Sequence, residues 1–102
     1  MNVAAFSPAG EVIGHCFLVA DKAGSAEMAV FVHQEYRRRG VGTALVKAAL
    51  QWGGAVGLRR VWSMTSSANR PALRLQRSCG FRVAKSVSLE AELEIDLPAV
   101  LR

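Results

Sequence analysis

A glycine-containing loop between two regular segments constrains this chain more than any other feature. The loop follows an apolar run over residues 28–32, typical of a strand, and leads into a helical pattern that starts at Val41. It comprises Arg37, Arg38, Arg39, Gly40, Val41 and Gly42. Glycines let backbone N–H groups approach an anion, a helix N-terminus adds about half a positive charge, and arginines supply forked donors for phosphate oxygens. The segment predicts a strand–loop–helix unit that cradles a pyrophosphate.

Two common phosphate-binding loops do not match this segment. A Walker A loop requires Gly-x4-Gly-Lys-Ser/Thr, whereas Lys47 lies inside the helix and is followed by Ala48. A dinucleotide-binding loop needs a third small residue where Leu45 stands, and an acidic residue about 20 residues further on. Residues 37–85 contain no Asp or Glu. Both alternatives therefore fail at named positions.

The composition is that of one folded domain. The 102 residues are 51% hydrophobic and 21% charged, which is typical of a globular protein with a single core. No apolar run is long enough to span a membrane, and the start lacks the layout of a signal peptide. Cys16 and Cys79 are too few for a disulfide framework, and no Cys/His cluster has zinc spacing. We therefore expect one domain over residues 1–102, in a reducing cytoplasm, with no metal and no membrane partner.

Hydrophobic periodicity predicts the element order βββ-α-β-α-ββ, with a mixed sheet flanked by helices. Strands are expected over residues 3–6, 11–20, 26–32, 60–66, 81–85 and 88–97. In the last of these, apolar residues alternate strictly with carboxylates. The carboxylates are Glu90, Glu92, Glu94 and Asp96. This alternation predicts a half-buried antiparallel strand with one acidic surface.

The two predicted helices have different signals at their ends. The buried face expected on the first helix comprises Val41, Leu45, Ala48, Ala49 and Trp52. This helix either ends at Gly53 and Gly54 or continues to Val56, with Gly57 as a left-handed stop. The second helix has Asn69 as its N-cap and stops at Gly80. Its buried side is expected to comprise Ala72, Leu73 and Leu75.

The loop resembles the acetyl-coenzyme A loop of the GNAT superfamily of N-acetyltransferases, Arg/Gln-x-x-Gly-x-Gly/Ala. Arg37, Gly40 and Gly42 occupy its defined positions. A second segment, Asn-Arg-Pro-Ala-Leu at residues 69–73 leading to Cys-Gly-Phe at 79–81, is similar to the family's Asn-x-x-Ala helix that closes on Gly-Phe. The resemblance covers residues 27–83, more than half of the chain.

The resemblance implies a fold and an activity. The fold is the GNAT-like mixed, mostly antiparallel α/β (α+β) sheet, here without the family's first strand and first two helices. The activity is transfer of an acetyl group from acetyl-CoA to a primary amine, by direct attack in a ternary complex. The strand and helix motifs are similar to those of bacterial protein-lysine acetyltransferase domains, which makes a protein lysine one acceptor. A homodimer or a partner domain is also compatible with the shortened acceptor side.

The charge distribution agrees with a polyanionic ligand. Eleven of the thirteen basic residues lie within residues 37–85, and the flanking segments are net acidic, although the whole chain carries +5. Such a block steers polyanions towards the loop. Coenzyme A, with a pyrophosphate and a 3′-phosphate, is such a ligand. Nucleic acid is a second class, but the block contains no recognised RNA motif and is not favoured.

The resemblance also assigns the cofactor-binding residues. They are Val32, Arg37, Arg38, Arg39, Gly40, Val41, Gly42, Thr43 and Asn69. Val32 stands where the family's backbone contacts the pantetheine arm and the thioester carbonyl, a role that needs no particular side chain. Asn69 would serve both as helix cap and as coenzyme contact. The loop residues would bind the pyrophosphate.

Catalysis requires a group that takes a proton from the amine. Glu27 is the only carboxylate on the strand before the loop, so we name it as the candidate base. A single bulge in that strand would move its side chain to the other face. Glu35 and His33, in the following loop, are weaker candidates.

One position departs from the family pattern. The family's tyrosine, which often protonates the leaving thiolate, is Gln76 here, and the only tyrosine is Tyr36. A glutamine donates hydrogen bonds but is not an acid near neutral pH. This departure leaves a second function class open, a non-catalytic acyl-CoA-binding or regulatory module.

Overall fold

The computed structural model describes residues 1–98, which form the predicted order of strands and helices. The strands are β1 (Asn2–Phe6), β2 (Val12–Ala20), β3 (Ser25–Val32), β4 (Arg60–Ser66), β5 (Arg82–Val87) and β6 (Glu90–Asp96). The helices are α1 (Val41–Ala55) and α2 (Arg70–Ser78), and a short 3-10 helix spans Gln34–Tyr36. Residues 99–102 of the predicted domain lie outside the described residues.

The strands form one mixed sheet in the order β1-β2-β3-β4-β6-β5. The first three strands are the predicted antiparallel meander, and β6 lies between β4 and β5, antiparallel to both. The pair β3–β4 is parallel, because α1 connects the two strands as a crossover. The predicted mixed, mostly antiparallel sheet is therefore confirmed.

Both helices pack on the same face of this sheet. An added Cβ on Gly14 of β2 would lie 2.8 Å from Leu45 Cδ1 of α1, so the helix rests directly on the strand backbone. On α2, Gln76 is hydrogen bonded to the buried Ser63 of β4. The core between the layers is lined by Cys16, Leu18, Ala26, Met28, Leu45, Val46, Ala49, Leu58, Val61, Phe81, Ala91 and Leu93. Among the described residues the helices thus flank the sheet on one side, and the molecule measures 38 × 37 × 20 Å.

The opposite face of the sheet, which we call the open face, carries the alternate side chains of each strand. Along β3, Glu27, Ala29 and Phe31 are exposed, whereas Ala26 and Met28 are buried beneath the helices. The same alternation continues on the other strands. Further open-face residues are His15, Phe17, Val19, Trp62, Met64, Glu92 and Glu94. No described helix covers this face, so several of its large apolar side chains are exposed.

Helix α1 extends towards the later of its two predicted ends. It runs through both glycines to Ala55, and Gly57, with φ +88°, provides the left-handed stop. Gly53 is buried, because an added Cβ there would lie 3.2–3.8 Å from Leu97, Leu58 and Leu18. The buried face comprises Leu45, Val46, Ala49 and Gly53. It is rotated from the predicted one, since Trp52 is 37% exposed.

The last hairpin is shifted by a few residues from the prediction. Gly80 adopts φ +103°, and the Phe81 N–H donates to the Gln76 carbonyl, which closes α2 and directs the Phe81 side chain into the core. The strand after α2 therefore begins at Arg82 rather than at Phe81. Ser88, with φ +56°, sits at the turn, so the final strand starts at Glu90.

Candidate active site

Strands β3 and β4 diverge after the first three residues of each strand. They are paired at Ser25–Arg60, Ala26–Val61 and Glu27–Trp62, and beyond this point each strand continues without pairing to the other. Meanwhile β3 stays in register with β2 as far as Val32, and β4 stays in register with β6 as far as Ser66. A wedge-shaped gap, which we call the gap, therefore opens between the carboxyl ends of two parallel strands.

A cavity of about 640 Å³ lies at the β3 side of this gap and extends to the N-terminus of α1. Its walls come from the end of β3, the loop before α1 and one side of α2. The lining residues are Val30, Phe31, Val32, Gln34, Arg37, Arg38, Gly40, Gly42, Thr43, Asn69, Pro71, Ala72, Arg74, Leu75 and Ser78. The volume falls in the range of small-molecule sites.

The loop before α1 presents a row of unpartnered amides. No backbone N–H from Arg38 to Thr43 donates to another group of the described residues. Gly40 is the N-cap of α1 but has no side chain to cap the helix, and its φ of +80° is one that glycine adopts at little cost. Arg38 is also left-handed, with φ +65°. Successive amides in this arrangement form an anion-binding nest at the positive end of the helix.

The three arginines of the loop point to different places. Arg37 and Arg38 line the cavity, and Arg37 Nε donates to the Val32 carbonyl at 3.4 Å. Arg39 instead stacks over the Tyr36 ring, 5.2 Å from its centroid, and lines a second, apolar groove between β1 and α1. Val41 also faces that groove rather than the cavity. Two of the predicted cofactor-binding side chains thus point away from the others.

Helix α2 supplies the opposite wall. Asn69 caps it as predicted, because its Oδ1 accepts from the Ala72 N–H at 3.2 Å, and Asn69 also lines the cavity. The sequence analysis did not single out Arg74 and Ser78, which also line the cavity. The sequence pattern could have indicated both residues. One face of the helix, by three- and four-residue spacing, comprises Pro71, Arg74, Leu75 and Ser78.

The two walls approach each other most closely at Gly42. A Cβ on this residue would lie 2.8 Å from Leu75 Cδ2 and 3.3 Å from Val32 Cγ2. The absence of a side chain therefore lets the first turn of α1 approach both β3 and α2. Since Leu75 and Val32 both line the cavity, a side chain at position 42 would displace them within it.

Gln76 does not face the cavity. It is 2% exposed, and its amide bonds the Ser63 hydroxyl, Thr65 Oγ1 at 2.9 Å and the Ala72 carbonyl at 3.2 Å. The side chain at the family's tyrosine position therefore ties α2 to β4 inside the protein. Among the cavity-lining residues, Thr43 and Ser78 carry hydroxyl groups.

Glu27 lies on the open face at the closed end of the gap. The pairing of β3 with β2 is continuous from Val32 to Ala26, so no bulge reverses the side-chain alternation. Glu27 is the last β3 residue paired with β4, beside Trp62. The weaker candidates lie elsewhere: His33 Nδ1 accepts from the Glu35 N–H at 3.3 Å, which caps the 3-10 helix in an exposed loop.

The acidic surface predicted on β6 is largely neutralised within the sheet. Arg60 pairs with Glu92 and Glu94, and Arg82 pairs with Glu94 and Asp96, at N–O distances of 3.2 Å or less. The hydrogen bond to Asp96 is the main cause of the raised pKa of Arg82. Two arginines of the basic middle block therefore stabilise the sheet, whereas Arg37, Arg38 and Arg74 remain at the cavity.

Residues 1–98 contain no group of three or more His, Cys, Asp or Glu side chains that could hold a metal ion. Both cysteines are free thiols, and burial raises the pKa of Cys16 to about 11. None of the described helices combines the length and the apolar character needed to cross a bilayer.

A comparison with protein families decides the identity. Residues 3–81 match the model of the Acetyltransferase (GNAT) family, which is more than half of the chain. The chain belongs to the GNAT acetyltransferase family. The predicted resemblance at this level is confirmed, whereas the narrower likeness to protein-lysine acetyltransferases is not.

Solved GNAT structures share this fold. The phosphinothricin acetyltransferase of Sinorhizobium meliloti, crystallised with AcCoA, superposes with a TM-score of 0.83 at 22% identity, over 94% of this chain and 60% of that one. A GNAT acetyltransferase from Streptococcus pneumoniae superposes with a TM-score of 0.84 at 19% identity, over 95% of this chain and 66% of that one. A GCN5-related N-acetyltransferase from Kribbella flavida superposes with a TM-score of 0.84 at 25% identity, over 94% of this chain and 67% of that one. This GNAT chain thus spans about two thirds of their length.

Acetyl-CoA fits the family as co-substrate, and the residues of this GNAT chain suit it. The unpartnered amides and the guanidinium groups of Arg37 and Arg38 form an electropositive cradle for a diphosphate. The remaining cavity continues between Val32 and Leu75 towards the gap, and its apolar walls suit an extended pantetheine arm. The cavity therefore combines charged and apolar lining residues, as this ligand requires.

Proposed function

We propose that this protein transfers the acetyl group of acetyl-CoA to a primary amine. The observation that carries the proposal is the row of unpartnered amides from Arg38 to Thr43, beside a cavity that also reaches the end of β3, where this strand is no longer paired with β4. When bound, acetyl-CoA supplies a thioester carbonyl and a thiolate leaving group. The family match supports acetyl transfer.

The chain's own residues divide into two tasks. The amides of Gly40, Val41, Gly42 and Thr43, with Arg37 and Arg38, would hold the diphosphate through short, charge-assisted hydrogen bonds. Val32 would contact the pantetheine through its backbone, and Asn69 would contact it from the capped end of α2. For Arg39 and Val41 only the backbone contributes, because their side chains face the second groove.

Glu27 would take the proton from the amine. Its exposed carboxylate lies on the open face, at the point where the gap begins, so an amine arriving from that side meets it before reaching the thioester. A positioned carboxylate base contributes about 10²- to 10⁴-fold to the rate. Gln76 plays no acid role in this proposal, because its amide is enclosed by its three partners.

A protein lysine is one acceptor to be tested. The motif likeness favours it, but the charge argument for it is weak. Of the four carboxylates on β6, Glu92, Glu94 and Asp96 are engaged with arginines. An acidic attraction for lysine therefore has little support from this strand.

The proposal extends to the setting of the protein. We expect a cytoplasmic location, supported by the two free thiols, and a single domain over residues 1–102. A homodimer or a partner domain that covers the open face is compatible with its exposed apolar side chains.

Two measurements test the proposed function. Isothermal titration with acetyl-CoA should give saturable binding, and mass spectrometry should detect acetylated product with at least one of a peptide lysine, a polyamine and a small monoamine. Glu27→Gln should lower kcat at least about 100-fold without changing the coenzyme Kd. Glu11→Gln, on an exposed glutamate of the first turn, is the matched control.

The outcomes separate the alternatives. Binding without turnover of any amine would refute the transferase and select the non-catalytic acyl-CoA-binding module. Unchanged kcat in the Glu27 variant would refute only its role as base. Absence of coenzyme binding would refute the assignment of the cradle.

A further inference from the structure

The open-face mouth of the gap is framed almost entirely by apolar side chains. Glu27 and Trp62 stand opposite each other at its closed end. Beyond them, Ala29 and Phe31 follow on the β3 side, and Met64 follows Trp62 on the β4 side. Of these five residues that frame the mouth, Glu27 is the charged one.

An aromatic strip leads from this mouth across β2. Phe31 is 58% exposed, lines the cavity and also contacts His15 edge-on, with ring centroids 5.8 Å apart. His15 in turn lies 5.4 Å from the Phe17 ring. Three aromatic rings in contact, on an exposed face and beside a cavity, form a patch of the kind that marks binding sites.

Cations that could bind a carboxylate are directed elsewhere. Arg60, on the same face of β4, is held by Glu92 and Glu94. Arg82 is paired as well, and Lys85 lies on the edge strand β5, about 10 Å from β4 at the usual strand spacing. A carboxylate placed at the mouth would therefore meet the negative charge of Glu27 and no unpaired arginine of β4 or β5, while Arg37 and Arg38 belong to the diphosphate cradle.

We propose that the acceptor is an amine on an aromatic or aliphatic body that carries no carboxylate. This inference rests on the proposed function. The body packs on Phe31 and Met64, and the amine lies over Ala29, beside the Glu27 carboxylate. Side chains two residues apart on a strand are separated by about 6.6 Å, so a short linker spans from a ring on Phe31 to an amine over Ala29, and Glu27 lies one further step of this length along β3. The small side chain of Ala29 leaves room for the amine.

The charges at the mouth should favour a monoamine over amines that carry further charged groups. A cationic amine is attracted both by Glu27 and by the aromatic faces. A free amino acid adds a carboxylate that must lose its hydration without gaining an ion pair. A polyamine adds further cations that find apolar surface instead of carboxylates. Both should be poor acceptors relative to a monoamine of the same size.

The test compares phenethylamine with L-phenylalanine, which differ by one carboxylate, and adds the polyamine spermidine. Phenethylamine should show a kcat/KM at least tenfold above each of the others. Equilibrium binding to the protein saturated with coenzyme A, measured by calorimetry, should give the same order. A higher kcat/KM for L-phenylalanine or spermidine would overturn the inference.

Two variants examine the strip directly. Phe31→Ala should raise the KM for phenethylamine about five- to tenfold, the effect of losing an aromatic contact. Phe6→Ala removes an equally exposed phenylalanine, 61% against 58%, outside the mouth, and should leave this KM unchanged. Equal effects of the two variants would refute the role of Phe31.

A gain-of-function variant completes the design. Met64→Lys, at an exposed position, places a cation at the mouth and should narrow the preference for phenethylamine over L-phenylalanine to threefold or less. An unchanged preference would refute the charge argument. If no amine is acetylated, the proposed function fails, and the calorimetric order still decides the inference: equal affinities for phenethylamine and L-phenylalanine would overturn it.

Discussion

Replacement of Gln76 by leucine should destabilise the protein through the hydroxyl groups that it leaves behind. The glutamine amide is the main partner of two buried hydroxyls, on Ser63 (3% exposed) and Thr65 (9% exposed). Without it, these hydroxyls have only each other, with the two oxygens 3.5 Å apart. That separation is too long for a good hydrogen bond.

The magnitude follows from the number of orphaned groups. A buried polar group that loses its partner costs about 1–3 kcal/mol, and two such groups are created. The leucine side chain recovers part of this through its apolar surface, so we expect a loss of about 2–4 kcal/mol in the free energy of unfolding. For a domain of this size each kcal/mol shifts Tm by about 4–8 °C. The variant should therefore melt about 10–25 °C below the parent protein and still fold.

Urea denaturation followed by circular dichroism measures the loss. The decisive control replaces all three groups, as Gln76→Leu with Ser63→Ala and Thr65→Val, because removing every polar partner together can be nearly neutral. The triple variant should be more stable than the single one, although it carries more substitutions. A single variant within 0.5 kcal/mol of the parent, or a triple variant less stable than the single, would refute the reasoning.

Three further predictions concern the cradle and the core. Gly40→Val should weaken acetyl-CoA binding at least about tenfold in calorimetry. Gly10→Val, at a similar φ (+87° against +80°) and with equally open space around its Cβ, should not weaken it, and equal losses would refute the cradle. Arg38→Ala should weaken acetyl-CoA binding about tenfold and reduce the salt dependence of its Kd. The control Arg77→Ala, at an exposed arginine, should change neither quantity. Identical salt dependence in the Arg38 variant and the parent protein would contradict an ion pair between Arg38 and the diphosphate. Cys16, with its pKa raised to about 11 by burial, should react with a thiol reagent only after unfolding; rapid reaction near pH 8 in the native protein would contradict its burial.

Much of the fold was predictable because its signals are local. The helix start at Val41, the cap at Asn69 and the alternation along β6 each depend on residues within one turn or one strand. The course of α1 was left open between two ends. Gly53 costs helix propensity locally, but it packs near Leu18 and Leu97, which are distant from it in sequence.

The position of the phosphate-binding loop was predictable from the sequence, but the directions of its side chains were not. Nothing in the run of three arginines indicates that Arg39 turns onto Tyr36 while its neighbours line the cavity. Similarly, the acidic row on β6 gave no sign that Arg60 and Arg82 would lie opposite it, because strand order is set by the whole sheet. Long-range pairing therefore decided which charges remain available.

The parting of β3 and β4 has a consequence for the strand itself. Beyond Glu27, β3 keeps β2 on one side and has the gap on the other, so amides pointing towards β2 are hydrogen bonded and those pointing across the gap have no ladder partner. In heavy water, neighbouring amides of this one strand should therefore exchange deuterium at rates that alternate along the chain. Filling of the gap by a ligand would slow the fast set selectively.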